Sequence, residues 1–281
     1  MKVHNLALAA FATLNILAAP AVATDSAYQS PYKLQYTIPL EKLLAPDAVG
    51  RRSSVEGESS TPYRSWYSAR VKARFGAWGP EPARFPAPFE SLDKADQDWL
   101  RQRLAAVGEK LIGLAYQHHH IPDWDPPADW PWKEVSCGHQ SKGLDCSNFT
   151  GWLYNYGLGI KLRTDVHKQA AAESVENPAG EGELAITRID SNGNYQELTK
   201  KLKTGDLLYI KNKSGEISHV IMWLGPIGQS PDGTPLIMDC TGSSHHDCNG
   251  TTIPSGVHIR PFDKDSWYFK SFSHAHRIIN P

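Results

Sequence analysis

The sequence carries almost no net charge, few cysteines, no internal repeat and no long apolar run beyond its first two dozen residues. Each shortage closes off a class of function. Twenty-nine basic residues against 30 acidic ones leave a formal charge of −1, and so even a balance supplies no overall field for nucleic acid. No later segment is apolar enough to span a bilayer. Metal signatures are also missing: His118, His119 and His120 are consecutive and cannot all converge on one tetrahedral ion, and neither Cys-x-x-Cys nor His-x-x-x-His occurs. The sequence therefore predicts neither a metal nor a cofactor. Nothing in it fixes an oligomeric state.

What is present begins with Lys2, the apolar stretch from Leu6 to Leu17, and the small-residue site Ala21-Val22-Ala23. This pattern predicts a signal peptide over 1–23 and an exported protein, periplasmic or secreted. Without that segment, which holds Lys2 and no acid, 28 bases face 30 acids. The four cysteines are Cys137, Cys146, Cys240 and Cys248. In an oxidising compartment cysteines normally pair; Cys240 and Cys248 flank a short loop and are the expected bridge. Cys137 is then left over if Cys146 is kept for chemistry.

Residues 24–90 are rich in proline, serine, arginine and aromatics without sustained periodicity, which predicts an irregular extension or a small β module. Six basic residues between Arg51 and Arg74 read as a solvated face rather than a polyanion site. From residue 91 onward the pattern changes. Leu100, Leu104, Val107, Leu111 and Leu114 recur at helical spacing, predicting a helix that ends near Tyr116 and is capped by Ser91 or Asp93. A proline-dense loop covers 121–136. A second helix is expected over 146–156, closed by Gly157 and Gly159, followed by strands at 206–210, 217–224, 236–240, 257–260 and 276–279. Helices followed by a run of strands predict an α+β fold with an antiparallel sheet.

The chemistry centres on Asp145-Cys146-Ser147. A cysteine attacks as thiolate, and the start of a helix stabilises one. A nucleophile needs a base, and the base needs an orienting group. His219 lies inside the apolar run Ile217–Leu224, and Asp239 inside Leu236–Cys240. A hairpin that pairs His219 with Asp239 puts both on one face and leaves 225–233, rich in turn residues, as its loop. Burial of a lone charge is costly, so a His and an Asp on one apolar face predict a pair. His245 and His246 are the alternative orienting groups.

Four blocks in this order resemble the NlpC/P60 cell-wall peptidases: Leu111–Tyr116, Leu144–Phe149 with Tyr154 and Gly157, Leu202–Tyr209 with its Gly-Asp206 turn, and Ser218-His219-Val220 through Gly225. Leu162-Arg163-Thr164 fits the segment after the nucleophile helix, and the resemblance spans about 105–260. It implies a papain-like core over 91–281 and hydrolysis of peptide bonds in peptidoglycan stem peptides, usually next to D-γ-glutamyl. It also implies Cys146 as nucleophile, His219 as base and Asp239 as orienting residue, with Tyr116, Asp145 and Ser147 near the substrate's amino end. The sequence departs from the family pattern at Asn148, where Gly is common, at His118–His120, which stand where Trp-Gly-Gly is usual, and at Asp239, where His is frequent. The alternatives are an amidase or acyltransferase on another amide or ester, and a silent wall-binding protein.

Overall fold

A computed structural model describes residues 28–45, 84–116 and 144–280, together with Ala69 and Ala73. The signal segment 1–23, the six basic residues of 51–74, His118–His120, the loop 121–136 and Cys137 lie outside the described residues.

Two helices form the first layer. Asp96 starts the helix Gln97–Glu109: its carboxylate accepts from the N–H of Asp98 at 2.8 Å and of Trp99 at 3.0 Å. Two donors that a helix start leaves open are thereby satisfied. Ser91 and Asp93, the caps expected from sequence, instead bond each other at 2.6 Å. The second helix, Cys146–Leu158, is buried along its whole length. Gly159 ends it in the left-handed region at φ 71° and donates to the Asn155 carbonyl at 2.8 Å, as a helix terminator without a Cβ can. Three shorter helices follow, Val166–Ala170, Tyr195–Lys201 and Trp267–Lys270.

The described strands are β1 (Lys33–Leu34), β2 (Ser174–Glu176), β3 (Glu183–Ala185), β4 (Thr187–Ile189), β5 (Leu207–Lys211), β6 (Ile217–Trp223), β7 (Gly228–Gln229), β8 (Leu236–Thr241), β9 (His245–His246), β10 (Thr252–Ile253), β11 (Gly256–Pro261) and β12 (Phe272–Arg277). Six of them make one antiparallel sheet in the order β11-β8-β6-β5-β12-β4. The protein is thus α+β, with helices packed on an antiparallel sheet. The sheet is buried on both faces, as its alternation explains. Val220, Met222 and Met238 share a core with Leu104, Val107, Trp152 and Leu153 of the two long helices. Ile221, Trp223 and Ile237 have the opposite parity and pack with Phe262, Tyr268 and Leu198.

Two details of register bear on the site. Met222 pairs with Met238 and Trp223 with Ile237, displaced by two residues from a hairpin that sets His219 opposite Asp239. The displacement is even, so His219 and Asp239 keep the same face. Between β5 and β6, Ile210 pairs with His219 but Lys211 pairs with Ile217. Ser218 is therefore an extra residue in β6, a bulge immediately before the histidine.

Polar contacts tie the layers together. The Tyr154 hydroxyl, on the second helix, donates to the Gly205 carbonyl at 2.7 Å. Next to it the Asp206 carboxylate accepts from Arg277 at 2.7 Å and from the Lys203 N–H at 2.8 Å. Residues ahead of the helices join the same core: Tyr32 and Phe85 are buried, β1 pairs with β7, and Phe85 N–H donates to the Asn155 side chain at 2.9 Å. The expected Cys240–Cys248 bridge is absent. Cys240 is buried, its Sγ donating to the Leu144 carbonyl at 2.9 Å, whereas Cys248 is exposed, and both are free thiols.

A Cβ at Gly159 would lie 2.9 Å from both the Phe85 carbonyl oxygen and the Ala87 nitrogen, on top of its positive φ. Gly159→Ala should therefore destabilise the fold by about 1–3 kcal/mol, read as a lower midpoint in urea unfolding; an unchanged midpoint would contradict this packing.

Candidate active site

Cys146 is the first residue of its helix because Asp145 stops the chain from being helical any earlier. Asp145 is extended, and its Oδ1 accepts from the Asn148 N–H at 2.9 Å, the Asn148 side-chain amide at 2.9 Å and the Ser147 hydroxyl at 3.3 Å. Leu144, just before it, is bridged to Tyr116 and held by the Ala115 carbonyl at 3.1 Å. The sulfur thus sits at the positive end of a 13-residue helix, 7% exposed.

His219 reaches the same point from β6. Its imidazole feels the charge of the Cys146 sulfur, and its Nε2 lies 2.8 Å from Asp239 Oδ2. Asp239 is fully buried on β8. It is Asp239, not His245 or His246, that stands against the imidazole. Burial opposes charge on His219, but the Cys146 sulfur and the hydrogen bond to Asp239 outweigh it and push the imidazole up to about 10. Burial likewise opposes ionisation of Asp239. Arg260 and then the His219 hydrogen bond override it and hold the carboxyl at about 2.

The other expected residues differ in what they can touch. Tyr116 is half-buried beside Cys146 and Asp145; burial first, then those two neighbours, raises its hydroxyl above the ordinary range. Asp145 is buried and acts on the helix start. Ser147 has no solvent exposure, and its hydroxyl donates to the Thr164 carbonyl at 2.6 Å. That bond turns it to the segment behind the helix rather than to an incoming ligand.

Sequence reasoning missed the surroundings of Asp239. Arg260, on β11, is fully buried and its Nη1 lies 2.5 Å from Asp239 Oδ1. The Tyr268 hydroxyl donates to Asp239 Oδ2 at 2.8 Å and also lies 3.2 Å from His245 Nε2. His245 stacks on the Tyr268 ring at 5.1 Å, so it meets the site through that tyrosine. Trp267, 41% exposed, places its ring 5.8 Å from that of His219 and forms an aromatic wall beside it. The available signal was chemical: a buried aspartate requires a cation, and Arg260 is the only basic residue in the apolar strand that follows. Tyr268 had no comparable signal.

Two titrations test this geometry. Since the Cys146 sulfur is the chief upward influence on His219, Cys146→Ala should bring the imidazole midpoint down toward ordinary histidine values in an NMR titration; an unmoved midpoint would contradict the contact. Asp239 is depressed from 3.8 to about 2, so its contribution to stability is present above 3.8 and is lost as the pH falls through 2. Asp239→Asn should flatten the acid limb of unfolding free energy between about pH 4 and 2; an equally steep limb would show that other groups produce it.

Residues 135–246 match the sequence profile of the NlpC/P60 family. No curated protein matches the chain. Among solved structures, an NlpC/P60 family protein from Bacillus cereus is 17% identical with a TM-score of 0.36, the match covering 71% of this chain and 51% of that one. This chain therefore spans about half the length of that relative. The NlpC/p60 domain of the peptidoglycan hydrolase SagA is 18% identical with a TM-score of 0.32, over 62% of this chain and 96% of that one. The profile match takes in Cys146, His219 and Asp239, so residues 135–246 of this chain are similar to the NlpC/P60 family.

Proposed function

We propose that the protein is a cysteine peptidase that hydrolyses peptide bonds in peptidoglycan stem peptides, next to D-γ-glutamyl. One observation carries the reading. Within the segment that matches the family profile, Cys146 opens a helix and its sulfur acts electrostatically on His219, whose Nε2 is held by Asp239 at 2.8 Å. That is the arrangement a thiol nucleophile needs.

The chemistry follows from these parts. His219 takes the Cys146 proton, and the thiolate attacks the scissile carbonyl carbon. The tetrahedral oxyanion forms at the helix start, where backbone N–H groups and the helix dipole favour negative charge. The imidazolium returns its proton to the departing amine, leaving a thioester on Cys146. Water, deprotonated by His219, then releases the acid. Asp239 keeps the imidazole in one orientation and stabilises its charged form. The half-buried Tyr116 lines the approach to Cys146, while Asp145 and Ser147 shape that approach by fixing the helix start. The N-terminal segment 1–23 supports export to where the wall is. Among the described residues no helix is long and apolar enough to cross a membrane.

The test is a digest of purified peptidoglycan followed by mass analysis of the fragments. Wild type should release new D-γ-glutamyl ends, and Cys146→Ala should lower the rate at least about a thousandfold while its far-ultraviolet circular dichroism stays unchanged. Undiminished turnover in that variant sinks the mechanism. Intact muropeptides, together with selective alkylation of Cys146 near neutral pH, would point to an amidase or acyltransferase on another substrate. Intact muropeptides without selective alkylation would point to a silent wall-binding protein.

A further inference from the structure

We propose that Arg260 is a positioning residue for this site, acting through Asp239 to keep that carboxylate ionised and aimed at His219. The proposal rests on the reading that Cys146, His219 and Asp239 act together.

The two carboxylate oxygens have different partners. Oδ2 accepts from Tyr268 and meets His219 Nε2, both at 2.8 Å. Oδ1 is bonded to Arg260 Nη1 at 2.5 Å. Asp239 is 0% exposed, so without Arg260 one oxygen of a buried anion loses its charged donor. That is a situation in which carboxyl groups take up a proton or move. A protonated Asp239 no longer stabilises an imidazolium, and a rotated one no longer meets Nε2.

Arg260 is itself held in place. Its Nη2 donates to the Pro254 carbonyl at 2.7 Å, and its side chain has no solvent exposure. One arm of the guanidinium thus grips the backbone while the other grips Asp239, a division of labour that a lysine ammonium cannot reproduce. Among the described residues, the histidines beside Asp239 do not replace the charge. His258 is the direct cross-strand partner of Asp239 on β11, but burial, followed by Arg260, holds it down at about 4, so it is neutral where the site operates. His245 is lowered too, first by burial. Tyr268, on the helix Trp267–Lys270, contributes a hydrogen bond and no positive charge. Of the groups facing Asp239 from β6, β9, β11 and that helix, Arg260 is the one permanent cation.

The test measures alkylation of Cys146 by iodoacetamide against pH in the full chain, followed peptide by peptide so that exposed Cys248 is counted separately. Arg260→Met should move the acid limb of the Cys146 profile up by about one pH unit, an approximately tenfold slower reaction on the limb, as should Asp239→Asn. In the Asp239→Asn background, Arg260→Met should add nothing. A purely structural arginine would lower the melting temperature and leave the limb in place, and that result overturns the proposal. Equal costs of Arg260→Met in both backgrounds overturn it too. If the single Arg260→Met variant does not fold, the doubly neutral variant is compared with Asp239→Asn alone, where a difference in the limb counts against the proposal and coincidence supports it. The assay contains no peptidoglycan, so an error in the substrate class leaves it untouched. A wild type whose Cys146 reacts like an ordinary thiol would remove both the triad and the role of Arg260.

Discussion

A carboxylate with no water around it must be answered by donors from the protein, and around Asp239 that requirement gathers distant parts of the chain. His219 comes from β6, Arg260 from β11, and Tyr268 from a short helix that precedes the last strand. If any of these elements shifted, the anion would lose a partner it cannot replace from solvent. The carboxylate is therefore as much an organising point for one edge of the sheet as a partner for the imidazole. Asp145 plays a comparable role at the other end of the site. Its single oxygen Oδ1 collects three donors and so determines where the helix begins and where the sulfur lies.

Much of this was legible in the sequence because it depends on periodicity and on local chemistry. The spacing of Leu100, Leu104 and Val107 gave a helix, and the apolar runs around His219 and Asp239 gave adjacent strands. Asp145-Cys146 marked a helix start because aspartate is a natural cap. The caps at Ser91 and Asp93 went wrong because Asp96, three residues on, competes with the same chemistry and is nearer the first buried turn. The hairpin formed by β2 and β3 and the short helices left no periodic trace, since elements of three to seven residues complete too few repeats to stand out.

The mistaken disulfide has a specific cause. A short intervening loop suggested that Cys240 and Cys248 could meet, but strand alternation already argued otherwise. If Asp239 turns toward one face, Cys240 turns toward the other. Its sulfur accordingly points to Leu144 inside the core, while Cys248 lies outside. Partners of Asp239 were also hidden for a simple reason: contacts between residues 21 and 29 positions apart, as for Arg260 and Tyr268, depend on register and on where a helix docks. Only the need of a buried acid for a cation could have singled out Arg260 beforehand.

The bulge at Ser218 sets the phase of β6. A strand presents its side chains as a two-letter code, one face then the other, and an extra residue in the pairing inverts the reading from that point on. Beyond the bulge His219 falls in step with Ile221 and Trp223, opposite to Val220 and Met222. The hairpin with β8 could lie two residues from the expected alignment and still bring His219 to Asp239, because two steps restore the phase. One step would not. An insertion or deletion of a single residue within this strand would exchange His219 for a valine or a serine at the sulfur, whereas the turn residues after Trp223 carry no such phase.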